Sequence, residues 1–315
     1  MYISTSFVTV LAAASVAQAI KFSDVTTAAS NVKRGLVSKL LGGLIGFQKQ
    51  EACPAVWSEI STTLTEQFLA DGQCTDAARA AIRAAFHDCF NGACDGSLIL
   101  ADECSRRENT GLVRVCGNLG NLAQQKGVGV GDLIQFAAAH AIKTCPGGPT
   151  VPVKVGRTDS SDASPAGVLP NGRESASDLI QRFAARGFSA VDLAALIGAH
   201  TAARNRATVP DKVNLTMDST PGQWDNKYYQ ETISGRAPVT LPSDKNMATN
   251  PITGIPMKSF AVSQAAWSLA FVPAMTKMSM LGVEGGGLVD CTSALPGGSR
   301  KRDVRRSNMF ERLKW

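Results

Sequence analysis

A stretch of nineteen residues, Arg79–Ser97, places the strongest constraint on how this chain can fold. Arg83, Phe86 and His87 occur at positions i, i+3 and i+4, so a helix would bring a cation, an aromatic ring and an imidazole to one face. The helix runs directly into a glycine-containing loop with three oxygen-bearing side chains, Asp88, Asp95 and Ser97. This concentration of chemically distinct groups predicts a functional site whose remaining members come from elsewhere in the chain.

The composition predicts a mostly helical protein with one large domain or two lobes. The chain has 315 residues, its hydrophobic content is 44%, and alanine is abundant while β-branched runs are few. The net charge is +6, but residues 299–315 alone carry seven basic and two acidic side chains. Because the remainder is close to neutral, no binding to nucleic acid is predicted.

The N-terminal segment has the features of a secretory leader. Phe7–Val16 is apolar and Ala17–Ala19 is a cleavage-type sequence, which predicts a signal peptide over residues 1–19 and a secreted protein. The apolar segment is too short to span a bilayer, so no membrane association is predicted. Residues 20–34, which end in the dibasic pair Lys33–Arg34, are predicted to be a propeptide.

Residues 35–298 are then the predicted folded domain. Residues 299–315 form a basic tail, which is either disordered or cut at its dibasic pairs. The chain has eight cysteines, and no two of them have the CxxC spacing of a zinc site. In an oxidising compartment they predict four disulfides. The sequon Asn214-Leu215-Thr216 predicts one N-glycosylation site.

Hydrophobic periodicity predicts an all-α fold in which a second helix carries a second histidine. Ser189 and Asp192 form a capping-box pattern at the start of this helix. Leu193, Leu196 and His200 follow at i, i+3 and i+7, so His200 is predicted on the buried face.

Three further predictions concern secondary structure elsewhere. Thr75 is predicted to cap the helix that carries His87. One long helix is predicted over Lys258–Leu281, and two short β signals occur at residues 151–155 and 238–241.

The three histidines limit the chemistry of the site. A zinc site requires three or four protein ligands, and a hydrolase of the GxSxG type requires a motif that does not occur here. One axial histidine and one non-ligating histidine over a flat cofactor is the remaining arrangement, and it is typical of haem. His87 and His200 suit these two roles. His140 shares an apolar face with Leu133 and Phe136, and it is predicted to be a core histidine.

Three motifs resemble one family, the haem peroxidases of plants, fungi and bacteria. Arg83-x-x-Phe86-His87-Asp88 resembles the distal motif, and Asp192–Thr201 resembles the proximal motif. Met217–Asp225 resembles the proximal calcium loop of the secreted fungal members, which form class II.

The resemblance extends from about Cys53 to Cys291 and implies a two-lobed all-α fold. The distal lobe would span about residues 51–160 and the proximal lobe about residues 161–291, with one haem b between them.

The resemblance also implies a role for each catalytic residue. His87 would be the neutral base that moves a proton of hydrogen peroxide, and Arg83 would stabilise the developing charge. Phe86 would pack on the haem, and Asn109 would orient His87. His200 would be the proximal iron ligand.

Asp244 would accept a hydrogen bond from His200 and raise its basicity. Without the resemblance, the position of Asp244 is typical of a helix N-cap.

Two calcium sites follow from the same resemblance, and their oxygen donors are of the kind that calcium prefers. The distal set is Asp88, Asp95 and Ser97 with backbone carbonyls near Asn91 and Ala93. The proximal set is Thr201, Asp218, Thr220 and Asp225 with the carbonyl of Gln223.

The resemblance to class II implies the disulfides Cys53–Cys291 and Cys74–Cys145. Proximity in the sequence suggests Cys89–Cys94 and Cys104–Cys116. The family also implies a buried ion pair between Asp132 and Arg157.

Departures from the family pattern reduce the range of electron donors that we expect. Asp76, Ala80 and Arg206 occupy the positions of the three carboxylates that bind manganese in manganese peroxidases. Ala195 replaces the surface tryptophan of lignin peroxidases, and Met217 replaces the buried tryptophan of the cytochrome c type.

The function implied is that of a secreted monomeric haem peroxidase that oxidises small phenolic or other aromatic donors with hydrogen peroxide. The alternative is a secreted haem- and calcium-binding protein of the same fold that has no significant turnover.

Overall fold

The computed structural model describes residues 52–284 and 286–297. Eleven α-helices lie in these ranges: α1 Val56–Phe68, α2 Asp76–Cys89, α3 Ser97–Leu100, α4 Val113–Lys126, α5 Val130–Thr144, α6 Ala176–Ala184, α7 Ala190–Leu196, α8 Lys227–Ser234, α9 Pro242–Thr249, α10 Pro251–Val262 and α11 Gln264–Met278. The strands form two small antiparallel pairs: β1 Leu69–Ala70 with β2 Gln73–Cys74, and β3 Lys154–Val155 with β4 Val289–Asp290. The all-α class is therefore confirmed. The predicted signal peptide, propeptide and basic tail lie outside the described residues.

Helix α2, which carries Arg83 and His87, packs mainly against α5. Thr75 caps it as predicted, because the Thr75 hydroxyl accepts a hydrogen bond from the backbone N–H of Ala78 at 3.3 Å. Small buried side chains on both helices allow the close packing: Ala78, Ala81, Ala84 and Ala85 on α2, and Ala137, Ala138, Ala139 and Ala141 on α5.

The loop after α2 is held directly on the start of α5. A Cβ atom placed on Gly131 would lie 2.9 Å from the carbonyl carbon of Asp95, and one on Gly96 would lie 2.7 Å from the nitrogen of Gly131. Only glycine permits this approach, so the position of the acidic loop depends on α5.

The predicted capping box at α7 is confirmed. The Ser189 hydroxyl accepts from the N–H of Asp192 at 3.0 Å, and the Asp192 carboxylate accepts from the N–H of Ser189 at 2.9 Å. Beyond Leu196 the helix tightens into a 3₁₀ turn, Ile197–Ala202. His200 therefore lies in this turn, and its side chain is 32% exposed, so the prediction that it occupies a buried helix face is wrong.

Two other expectations about secondary structure are corrected. The single helix predicted over Lys258–Leu281 is wrong, because the chain breaks at Ser263 into α10 and α11. Ser263 is extended and its hydroxyl caps the N–H of Ala266 at 3.1 Å, which favours a new helix start over continuation. Residues 238–241 form no strand, and the other β signal yields only Lys154–Val155.

Four disulfides, Cys53–Cys291, Cys74–Cys145, Cys89–Cys94 and Cys104–Cys116, use all eight cysteines. The pairs are those expected from the sequence. The first joins residues 238 positions apart, so it closes almost the whole described chain into one loop. The ion pair between Asp132 and Arg157 is also present, with a Nη1 to Oδ1 distance of 2.9 Å and both side chains buried. No helix in the described ranges is long and apolar enough to cross a membrane.

His140 is fully buried between α1 and α5 with both ring nitrogens paired, as a core histidine should be. Its Nε2 lies 2.9 Å from the carbonyl of Ser61, and its Nδ1 lies 3.1 Å from the hydroxyl of Thr144. Burial lowers the pKa of His140 from 6.5 to about 4. The ring is therefore neutral in the folded protein at neutral pH.

This pKa predicts one component of acid sensitivity. The unfolded chain takes up the proton near pH 6.5, whereas the folded chain takes it up only near pH 4. The free energy of unfolding should thus fall as the pH falls between these values, by at most about 1.4 kcal/mol per pH unit for this one proton. Urea unfolding of the wild type and His140→Gln at several pH values should show a shallower decline for the variant. Parallel declines would contradict the assignment.

Candidate active site

One face of α2 presents the three groups predicted from their spacing. The Arg83 guanidinium donates to the carbonyls of Thr110 and Glu108 at 2.8 and 3.0 Å. The Phe86 ring lies with its centroid 4.9 Å from that of Phe90. Its edge-on contact with the adjacent imidazole of His87 has a centroid distance of 5.8 Å. An apolar ring and a cation therefore flank the histidine.

A chain of hydrogen bonds fixes the tautomer of His87. Its Nδ1 lies 2.5 Å from Oδ1 of Asn109, and Nδ2 of Asn109 donates to the backbone carbonyl of Glu103 at 2.7 Å. Because that carbonyl can only accept, the amide of Asn109 must present its oxygen to His87. His87 therefore carries its hydrogen on Nδ1, and the lone pair on Nε2 is available to accept a proton.

The electrostatic environment keeps His87 neutral. Burial, with a further contribution from the charge of Arg83, lowers the pKa of His87 to about 3, while the hydrogen bond with Asn109 acts in the opposite direction. Burial and the nearby charge of Arg206 lower the pKa of Arg83 to about 10, so its guanidinium stays protonated at neutral pH. A neutral base and a fixed positive charge thus lie side by side.

The second histidine is held by a buried carboxylate. Nδ1 of His200 lies 2.9 Å from Oδ2 of Asp244, whose side chain is fully buried. The other oxygen of Asp244 accepts from the Ser243 hydroxyl at 3.0 Å. A carboxylate on Nδ1 leaves the lone pair of His200 on Nε2, which is the orientation of a histidine that binds a metal.

Buried oxygen donors surround the loop after α2. Asp88 is buried and accepts from the N–H groups of Gly96 and Leu98 at 3.2 and 3.3 Å. Burial, with contributions from the charges of Asp95 and Glu103, raises the pKa of Asp88 to about 8, while the hydrogen bonds from Gly96 and Leu98 act in the opposite direction. The side-chain oxygen of Asn91 is buried with no hydrogen-bond partner among the described residues. Uncompensated oxygens of this kind fit a hard cation.

The predicted proximal oxygen donors also lie together. The Thr201 hydroxyl donates to Asp218 at 2.5 Å, and the Thr220 hydroxyl donates to Asp225 at 2.9 Å. The N–H of Gln223 donates to the carbonyl of Thr220 at 2.9 Å, which folds this loop back on itself. Asp218 is fully buried, and burial raises its pKa to about 6. Since Thr201 adjoins His200, this loop is coupled directly to the second histidine.

Sequence reasoning missed Glu103. It lies near Asp88 of the acidic loop and also holds Asn109, the hydrogen-bond partner of His87. Its side chain is buried, and its carboxylate accepts from the N–H of Ser164 at 2.6 Å and pairs with Arg106 at 3.2 Å. Its backbone carbonyl holds Asn109. A glutamate beside a cysteine in a loop has no periodicity that marks it as buried, so the sequence offered no usable signal.

The arrangement fits a haem better than a polynuclear or zinc centre. In the described part of the chain no cluster of three or more His, Cys, Asp or Glu side chains could hold a metal ion by itself. Each of the two histidines has Nδ1 occupied by an oxygen acceptor, and neither Nε2 has a protein partner among residues 52–284 and 286–297. One imidazole with a free Nε2 backed by a carboxylate can hold an iron porphyrin, which needs a single axial ligand from the protein.

Comparisons with known proteins identify a family and several relatives. Residues 58–263 match the family model described as peroxidase. The chain is 32% identical over 260 residues to a low-redox potential peroxidase of Taiwanofungus camphoratus, with 76% of this chain and 77% of the relative covered. It is 28% identical over 266 residues to manganese peroxidase 3 of Phlebia radiata, with 74% of each covered.

A third relative is ligninase LG6 of Phanerodontia chrysosporium, which is 27% identical over 318 residues, with 90% of this chain and 84% of the relative covered. His87, Asn109, His200 and Asp244 all fall inside the segment that matches the family model. The match of residues 58–263 to the family model and the 32% identity to a peroxidase over three quarters of the chain, together with two histidines whose Nδ1 atoms are each held by an oxygen acceptor, lead to one conclusion: this chain belongs to the peroxidase family.

Proposed function

We propose that this peroxidase uses haem b to reduce hydrogen peroxide and to oxidise small phenolic or other aromatic donors by single electrons. The observation that carries the proposal is that the two histidines have different surroundings, which suit different tasks. His87 is neutral, with its lone pair on Nε2 beside the charged Arg83, whereas His200 is backed by the buried carboxylate of Asp244. Bound haem supplies the redox centre that passes electrons from the donor to peroxide.

On the distal side, the chain's own residues move one proton. Nε2 of His87 accepts a proton from hydrogen peroxide and returns it to the oxygen that leaves as water, so the residue ends the cycle neutral. The guanidinium of Arg83 stabilises the negative charge that develops on the leaving oxygen. Asn109 keeps Nδ1 of His87 protonated throughout, which reserves Nε2 for the transferred proton.

On the proximal side, His200 would coordinate the iron through Nε2. Asp244 accepts the Nδ1 hydrogen of His200 and thereby makes the imidazole a stronger electron donor. Because Asp244 is fully buried, water does not compete for this hydrogen bond.

Two calcium ions would hold the segments that carry the histidines, helix α2 and the 3₁₀ turn Ile197–Ala202. The distal ion would take Asp88, Asp95, Ser97 and the carbonyls near Asn91 and Ala93, directly after α2. The proximal ion would take Thr201, Asp218, Thr220, Asp225 and the Gln223 carbonyl, directly after His200. Neutralising the buried Asp88 and Asp218 with a cation offsets the cost of burying their charges.

Calcium removal is therefore expected to loosen both sides of the site. With free calcium at 100 times its dissociation constant, each ion contributes about 2.7 kcal/mol to the free energy of unfolding. Chelation should lower the melting temperature and the rate with peroxide, and added calcium should restore both. Asp95→Asn and Asp225→Asn should each lose one ion by metal analysis. Full retention of activity in the calcium-free protein would contradict this coupling.

Aromatic donors are proposed in preference to manganese because two of the three carboxylates of a manganese site are missing and the third is paired with arginines. Asp76 is engaged by Arg79 and Arg204 at 2.7 and 3.0 Å, and Ala80 and Arg206 supply no carboxylate. Ala195, the position of a surface tryptophan in lignin peroxidases, is completely buried and offers no exposed route for electrons. Small organic donors would therefore deliver electrons to the bound haem directly.

The rival function is a haem- and calcium-binding protein without turnover, and one stopped-flow experiment separates the two. Peroxide should change the Soret band of the haem-loaded protein rapidly, and a phenol should then restore the original spectrum. Manganese(II) should not accelerate that recovery. A Soret band that peroxide leaves unchanged would favour the rival.

The leader sequence and the disulfides support secretion, in which case the mature enzyme would act outside the cell. We also propose that it is a monomer, as the family resemblance implies. Asn214 is exposed, and its side-chain oxygen accepts from Arg206 at 3.0 Å. This contact leaves the side-chain nitrogen available for the predicted glycan.

A further inference from the structure

Tyr228 lies beside His200 and Asp244 on the proximal side and takes no part in the proton transfer at His87. Its side chain is 1% exposed. The ring meets the imidazole of His200 edge-on, with a centroid distance of 5.6 Å and an interplanar angle of 88°. Tyr229, the next residue, is equally buried, but it faces a different set of acceptors.

The hydroxyl of Tyr228 is a buried polar group without a hydrogen-bond partner among the described residues. Leaving such a group unpaired costs about 1–3 kcal/mol, so native proteins rarely tolerate it without a reason. Burial and the charge of Asp244 raise the pKa of Tyr228 well above its ordinary value. A tyrosine hydroxyl carries its hydrogen at neutral pH, so it can act only as a donor toward a carboxylate.

Asp244 has the capacity to accept this hydrogen. Its two oxygens already receive hydrogen bonds from His200 and Ser243, one on each oxygen. An ionised carboxylate has about four lone-pair sites, so a third donor can be accommodated. In contrast, the Tyr229 hydroxyl already donates to the carbonyls of Ala194 and Ala195 at 2.7 and 3.2 Å.

We infer that Tyr228 is a positioning residue that donates its hydroxyl hydrogen to Asp244 in the haem-loaded enzyme and so limits how strongly Asp244 polarises His200. The inference rests on the proposed role of His200 as the iron ligand. Tyr228 would act only through the carboxylate of Asp244.

The sign of the expected change in the iron reduction potential follows from competition between hydrogen-bond donors for the carboxylate of Asp244. Each added donor withdraws electron density from Asp244, which then accepts the Nδ1 hydrogen of His200 less strongly. His200 becomes a weaker electron donor to iron, and iron(III) is stabilised less relative to iron(II). Removing the Tyr228 hydroxyl should therefore lower the reduction potential of the iron.

The first test compares Tyr228→Phe with Tyr229→Phe in the haem-loaded, calcium-loaded enzyme. Each variant removes one buried hydroxyl and keeps the ring, but only the first removes a donor to Asp244. We expect Tyr228→Phe to shift the iron(III)/iron(II) potential downward and the iron–histidine stretching frequency of the ferrous protein upward. Tyr229→Phe should leave both at the wild-type values. Equal values for the two variants, or a shift of opposite sign, would overturn the inference.

A second test strengthens the donor instead of removing it, which keeps the inference testable if Tyr228→Phe folds poorly. The chain has only three tyrosines, and Tyr2 lies in the predicted signal peptide. Growth of the Tyr229→Phe variant on 3-fluorotyrosine therefore places the label at Tyr228 in the mature domain. A more acidic phenol is a better donor, so the potential should rise and the stretching frequency should fall. No change on fluorination would overturn the inference.

These outcomes also separate this inference from the proposed function. A wild-type protein that lacks an iron–histidine band would refute His200 as the ligand and overturn the role of Tyr228 with it. A normal band that neither Tyr228 substitution displaces would overturn the role of Tyr228 alone.

Discussion

Replacing His87 with alanine is expected to slow the reaction with hydrogen peroxide by about 10²–10⁴-fold while the protein keeps its haem. The reason is the orientation of the imidazole. Nδ1 is committed to Asn109, so Nε2 is the only ring atom that can move the proton, and the pKa of about 3 keeps it unprotonated. Stopped-flow spectroscopy at the Soret band measures the rate directly.

A matched variant and a rescue experiment distinguish loss of the base from general damage. Asn109→Leu leaves His87 in place but removes the acceptor that fixes its tautomer, so the rate should fall by less than in His87→Ala. Added imidazole should restore part of the rate in His87→Ala by supplying a base. If His87→Ala instead lost its haem and retained a normal rate in the remaining holoenzyme, the distal assignment would be wrong.

Replacing His200 with alanine is expected to abolish normal haem ligation. The variant removes the only imidazole with a free Nε2 that is backed by a buried carboxylate in the described part of the chain. The iron–histidine band of the ferrous protein should disappear, and haem should dissociate from the variant far more readily than from the wild type. Resonance Raman spectroscopy and haem transfer to an acceptor protein measure the two effects.

Haem loss in His200→Ala can be compared with haem loss in Asp244→Asn. Substitution of a residue that only orients a metal ligand typically costs about 10–100-fold in metal affinity, so Asp244→Asn should lose haem less readily than His200→Ala. Added imidazole should restore a five-coordinate spectrum to His200→Ala but not alter Asp244→Asn. Retention of the iron–histidine band in His200→Ala would refute the proximal assignment.

The distal helix was predictable because its determinants are local. The spacing of Arg83, Phe86 and His87 sets their common face, and Thr75 marks the start of the helix. The same reasoning located the capping box at Ser189. Local rules failed at Ser263, where a capping side chain interrupts a run of helix-forming residues.

The proximal acceptor was accessible only through family resemblance. Asp244 lies 44 residues beyond His200, and neither periodicity nor spacing relates the two. Glu103 and Tyr228 were missed, because burial of an isolated polar side chain depends on what packs over it. Arg206 was noted as a replaced carboxylate, but its charge next to Arg83 became evident only in the fold.

The sequence by itself determined which side chains share a helix face, where helices begin and which family the motifs resemble. These properties depend on residues within one or two turns of each other. Tertiary structure alone decided which nitrogen of His87 holds the hydrogen, which carboxylate holds His200, and that the hydroxyl of Tyr228 is buried beside them. Hydrogen bonds in a buried site join residues far apart in the chain, and their strength depends on exclusion of water by the packed helices.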